Sequence, residues 1–271
     1  MKKSIFYILI ACAFIACEKI DSTLAVQEDA TQKEMAAKAE KDSSESSEDP
    51  EAKPAKTLKV GILGDSISTF KDIIPSNHRY YYPSEDVDDW TKTYWGILIN
   101  QYWGAELQAN MSYSGGCVAP TPDKAEITNF MTRCTLFSDP DIIIIHGGTN
   151  DNNERNNVGI GDFDFLSPLE NLDLESRFRD SYIAMIRTLQ KTYPEAQLIL
   201  IIGNYVKGDY GESIEKIAQF FDLPYVDFRG YDAIDNNGNC HPNANGMALM
   251  ASKIYEETKD LVNNLKKSNT I

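Results

Sequence analysis

From Leu58 onward the chain alternates between short, continuous apolar runs and longer stretches with helical spacing. The apolar runs are Leu58 to Leu63, Asp141 to His146, Gln197 to Gly203 and the short Pro224 to Asp227, with Glu106 to Ser112 as a weaker second strand. Asp141-Ile142-Ile143-Ile144-Ile145-His146 is the clearest of them. An unbroken apolar run bounded by polar residues is what a strand buried on both faces requires. Between the runs, the spacing predicts helices over Thr91 to Trp103, Asp123 to Phe137, Leu174 to Thr192, Glu212 to Phe221 and Ala244 to Lys266. The first of these should carry Tyr94, Ile97, Leu98 and Tyr102 on one face, and Asp123 should cap the second. Strands alternating with helices predict one α/β sandwich around a mostly parallel, five-stranded sheet.

The first 56 residues follow a different pattern. Lys2-Lys3 is a basic start, Ile5 to Ala16 an apolar core, and Phe14-Ile15-Ala16-Cys17 a small-residue close. This is the layout of a secretory signal, too short for a comfortable membrane span. Its end resembles the lipobox of bacterial lipoproteins, which implies lipidation at Cys17. Residues 18–56 are rich in Ala, Glu, Lys, Ser and Asp and have no aromatic residue, so they cannot bury enough apolar surface to fold. The expected organisation is a signal over 1–17, a disordered tether over 18–56 and a folded domain over 57–271. The protein should sit in the cell envelope, periplasmic or at the cell surface, held to the membrane by lipid.

Charge and cysteine usage narrow the choice of partners. A net charge of −15 argues against nucleic acid, which needs clustered Lys and Arg. Once Cys12 leaves with the signal and Cys17 takes lipid, Cys117, Cys134 and Cys240 remain. They form no zinc pattern with His78, His146 and His241. An oxidising compartment favours a Cys117–Cys134 disulfide, with Cys117–Cys240 as the competing pair.

Polar clusters follow three of the strands: Gly64-Asp65-Ser66, Ser114-Gly115-Gly116 and Gly148-Thr149-Asn150-Asp151. A fourth, Cys240-His241-Pro242-Asn243, precedes the last helix. The carboxyl edge of a parallel sheet would gather all four into one crevice. Their chemistry is complementary: a hydroxyl needing a base, an imidazole able to serve as one, and amide groups suited to an oxyanion. The plainer reading of Ser66 alone is a helix cap. In this order the blocks resemble the four motif blocks of the SGNH (GDSL-type) hydrolases, over Leu58 to about Ala251. The resemblance implies a flavodoxin-like three-layer α/β/α fold and a serine esterase without metal or other cofactor. It implies Ser66 as nucleophile, His241 as base, and Gly115 and Asn150 as oxyanion donors.

The sequence departs from that family at one point. An Asp usually stands three residues before the His, and here that position is Gly238. Asp235, or less readily Asp232, could turn back to the imidazole, or a backbone carbonyl could hold it. The expected activity is removal of small acyl groups such as acetyl from a glycan, by a monomer acting on a polysaccharide or small-molecule ester. Lipid esters and thioesters are alternatives. A glycan-binding lipoprotein that has lost catalysis is the alternative from another class. His146, after four isoleucines, reads as a buried strand end; His78 reads as exposed or substrate-facing; Trp90, Trp95 and Trp103 read as core.

Overall fold

The computed structural model describes residues 56–231, 234 and 240–268. Five strands, β1 (Lys59–Gly64), β2 (Glu106–Asn110), β3 (Ile142–His146), β4 (Gln197–Ile202) and β5 (Tyr225–Asp227), form one sheet in the order β2-β1-β3-β4-β5. Every pairing is parallel, so the sheet is wholly rather than mostly parallel. This is the flavodoxin-like order, and the chain reverses direction across the sheet between β1 and β3.

The isoleucine run of β3 explains the layering. Successive side chains of a strand point to opposite faces. Ile142 and Ile144 join one buried cluster, together with Tyr94, Trp95, Leu98, Met247, Met250 and Ile254. Ile143 and Ile145 join the other, with Phe130, Phe178, Ile183, Ile186, Ile214 and Ile217. Each isoleucine so buried stabilises the fold by about 1.5–3 kcal/mol. One face of the sheet is therefore covered by α1 (Tyr94–Ile97) and α5 (Ala244–Ser268). The other is covered by α2 (Phe130–Arg133), α3 (Phe178–Thr192) and α4 (Gly208–Phe220).

Three predicted helices start later than the periodicity indicates. Over 91–103, Thr93 is extended and its hydroxyl caps Gly96, so α1 begins only at Tyr94. It then widens into a π-helical turn over Leu98–Trp103. That widening takes Tyr102 off the buried face: it is 39% exposed and stacks on Tyr255. Over 123–137, Asp123 caps nothing helical. Asn129 is extended and its side chain accepts from the Thr132 N–H, so it, not Asp123, starts α2. The third helix starts at Phe178 rather than Leu174, because residues leading into it bridge to Gly159 and Ser176 has φ +54°. The fourth begins a turn early, at Gly208.

Candidate active site

β1 hands over to a single 3₁₀ turn, Ser66–Ser68. Asp65, not Ser66, is its cap: Asp65 Oδ1 accepts from the Ile67 N–H at 3.0 Å. The Asp65 N–H donates to the His146 carbonyl at the end of β3. Gly64 is required here, since a Cβ would lie 2.5 Å from Ser68 Oγ. Burial pushes the Asp65 carboxyl up to about 6. The Thr69 hydroxyl donates to the Ser66 carbonyl at 2.8 Å and accepts from the Tyr81 N–H at 2.9 Å. Ser66 is thus held from below by the sheet and from the side by the Tyr81 loop.

His241 meets it from the segment before α5. Its Nε2 lies 2.8 Å from Ser66 Oγ. Burial lowers the imidazole to about 4, so it is neutral at ordinary pH. With Nε2 as acceptor, the ring proton belongs on Nδ1. The neighbouring backbone is fixed by one loop. The Tyr82 hydroxyl donates to the Pro242 carbonyl at 2.7 Å, and Asp86 Oδ2 accepts from the Ala244 N–H at 2.8 Å. Asp232, Asp235 and Gly238, considered above as sources of the group facing Nδ1, lie outside the described residues, as does Cys17.

The opposite wall comes from the loops after β2 and β3. Gly115 has φ +84°, a conformation open to glycine at no steric cost. Among the described residues, the N–H groups of Ser66 and Gly115 make no backbone hydrogen bond. Lys124 Nζ holds the Gly115 carbonyl at 3.0 Å. Asn150 Nδ2 donates to the Gly116 carbonyl at 2.9 Å with one of its two N–H bonds. Asp151 accepts from the Val118 and Ala119 N–H groups at 2.9 and 3.0 Å, clamping the Gly115 loop to the β3 turn. Its burial raises that carboxyl to about 6. A hydroxyl within reach of a neutral imidazole is the pairing nucleophilic acyl transfer needs.

Two residues that sequence spacing did not single out take part in this frame. Arg133 is fully buried, and its guanidinium donates to the carbonyls of Gly64, Met111 and Thr128, joining the ends of β1 and β2. Tyr81 stacks on the His241 ring. Nothing in the pattern marked Arg133, whereas the run of tyrosines from Tyr80 to Tyr82 was a visible signal.

The remaining candidates fall elsewhere. His146 is fully buried, with Nδ1 3.3 Å from the Tyr94 hydroxyl. His78 is not exposed: it is buried, with Nδ1 2.9 Å from the Ser112 carbonyl. Trp95 and Trp103 are core, and Trp90 stacks on Trp95. The expected disulfide is not formed. Cys117, Cys134 and Cys240 are free thiols. Cys117 accepts instead from Lys124, Cys134 donates to the Met131 carbonyl, and burial raises all three thiols.

The fold and these loops define a GDSL-type hydrolase built on a flavodoxin-like sheet. Residues 58–258 match the GDSL-like Lipase/Acylhydrolase family, and the chain belongs to it. A protein named as a GDSL-like lipase from Bacteroides uniformis is 28% identical, with a TM-score of 0.66 over 75% of this chain and 96% of that one. Another so named, from Bacteroides ovatus, is 25% identical, with a TM-score of 0.67 over 76% and 99%. A family two carbohydrate esterase from Clostridium thermocellum, in complex with cellohexaose, shares the fold at 17% identity and a TM-score of 0.53, over 78% and 66%. No curated protein matches the chain.

Proposed function

We propose that this acylhydrolase is an exported, lipid-tethered serine esterase that removes small acyl groups, acetyl foremost, from a polysaccharide. The observation that carries the reading is the 2.8 Å approach of His241 Nε2 to Ser66 Oγ. In this reading Ser66 Oγ attacks the ester carbonyl carbon while His241 takes its proton. The tetrahedral oxyanion accepts from the N–H groups of Ser66 and Gly115 and from Asn150 Nδ2. Collapse expels the sugar hydroxyl, protonated by His241. Water, deprotonated by the same ring, then releases the acyl group as a carboxylic acid. Asp235 is the side chain we assign to the other ring nitrogen.

The substrate class rests on the exposed Tyr80, in the tyrosine run beside the site, and on the proposed export. The fold shared with the carbohydrate esterase supports it only by analogy. Anchoring through Cys17, the tether over 18–56 and a monomeric domain over 57–271 complete the reading. The experiment is hydrolysis of p-nitrophenyl esters of increasing chain length by the wild type and by Ser66→Ala and His241→Ala. Both variants should lose about 10³-fold or more in kcat/KM on the acetyl ester. Activity in Ser66→Ala equal to wild type would falsify the assignment, and rates rising toward long chains would replace glycan with lipid.

A further inference from the structure

The segment that carries His241 is held almost residue by residue by the loop that follows the nucleophile turn. Tyr81 meets His241, Tyr82 donates to the Pro242 carbonyl, and Asp86 accepts from the Ala244 N–H. The same loop is fastened to the nucleophile: Thr69 bonds both the Ser66 carbonyl and the Tyr81 N–H, and the Lys71 N–H donates to the Tyr82 carbonyl. One loop therefore sets the spacing between Ser66 and His241.

Within it, the Tyr81 ring lies parallel to the imidazole, with centroids 3.5 Å apart and planes 4° from each other. Tyr82 closes the edge of both rings, 4.9 Å from Tyr81 and 6.5 Å from His241, each nearly perpendicular. The torsion that turns an imidazole about its Cβ–Cγ bond is soft, with broad wells. A hydrogen bond weakens steeply once its angle opens. A flat ring laid against the imidazole removes that freedom without competing for either nitrogen. We propose that Tyr81 is the positioning residue of the general base, its aromatic face locking the rotation of His241 that aims Nε2 at Ser66 Oγ. Tyr81 is 40% exposed, so the ring is a wall of the site and not a core element whose loss would unfold the domain.

The inference rests on the proposed roles of Ser66 and His241. Its test is steady-state hydrolysis of p-nitrophenyl acetate by Tyr81→Phe, Tyr81→Leu and Tyr81→Ala, with thermal unfolding followed by circular dichroism. Loss of orientation alone can cost a reaction up to about a hundredfold, so Tyr81→Ala and Tyr81→Leu should lose about tenfold or more in kcat with KM little changed. Tyr81→Phe keeps the flat face and should retain kcat within about twofold. Wild-type kcat in Tyr81→Leu would overturn the proposal, because bulk without a flat ring would then suffice. So would Phe as impaired as Ala, which would move the role to the hydroxyl, or a raised KM at unchanged kcat, which would make Tyr81 a substrate contact. If the Ala variant unfolds, the Phe and Leu pair decides. Ser66→Ala, assayed alongside, separates the two failures: its full activity would remove the underlying reading, whereas its inactivity beside a fully active Tyr81→Leu would remove this inference alone.

Discussion

Arg133 places a guanidinium in the fully buried interior, where three backbone carbonyls receive it. Burial lowers it to about 9, which measures how unfavourable that position is for a charge. The carbonyls it serves end β1 and β2 and lie in the turn before α2, so it ties together the backbone on which Ser66 and Gly115 are mounted. Arg133→Met should fit the space but take away the donor to the Met111 and Thr128 carbonyls, while the Gly64 carbonyl keeps the Tyr113 N–H. At about 1–3 kcal/mol for each buried group left without its bond, stability should fall by about 2 kcal/mol or more. Urea unfolding measures this, and Arg133→Lys should recover only part, since one ammonium cannot replace a fork. A Met variant as stable as wild type would show the carbonyls finding other partners. The approach of His241 to Ser66 was legible because one motif block ends the first strand and the other opens the last helix. Arg133 was not, because bonds to backbone carbonyls leave no trace in the residue types around them.

The strands were legible nearly to the residue, and the short helices were not. A strand buried on both faces must be apolar throughout, so β3 and β4 declare themselves. α1 and α2 are instead cut short by local caps at Thr93 and Asn129, which compete with helical spacing that is present in the sequence. The tight entry to α1 depends on Gly96. A Cβ there would collide with the Trp90 carbonyl and press on Thr91 Cα at 2.9 Å. Gly96→Ala raises helix propensity, so an ordinary helix would gain stability from it. Here the 3₁₀ turn Trp90–Lys92 must move, and with it the stacking of Trp90 on Trp95. Overpacking of this kind costs about 1–3 kcal/mol, so the variant should melt lower than wild type by differential scanning calorimetry. A higher melting point would show that the helical periodicity over 91–103 describes this segment better than its caps do.

Across the whole domain, the groups buried around the site oppose one another as pH falls. His146 and His241 stand at about 4, and Asp65 and Asp151 at about 6. Below about pH 6.5 the unfolded chain protonates its histidines while the fold keeps these two neutral, so they remove stability as pH drops toward 4. The two carboxyls do the reverse: the fold accepts their protons near pH 6, the unfolded chain only near 3.9, so they add stability on the way down. Between pH 4 and 6 the two contributions offset each other. His146 can be separated from the rest because it is fully buried on β3 and outside the reaction. His146→Gln keeps a group able to bond the Tyr94 hydroxyl but removes the titration. The variant should be less stable than wild type at pH 7, through poorer packing. That deficit should shrink as pH falls through 6.5, by about 3 kcal/mol at pH 4, the size of a 2.5-unit difference between folded and unfolded histidine. Paired urea titrations at pH 7, 5.5 and 4 measure it. A deficit that stays constant over that range would mean His146 takes up no proton on unfolding that it lacks in the fold, and the opposition among the four groups would then rest on His241 alone.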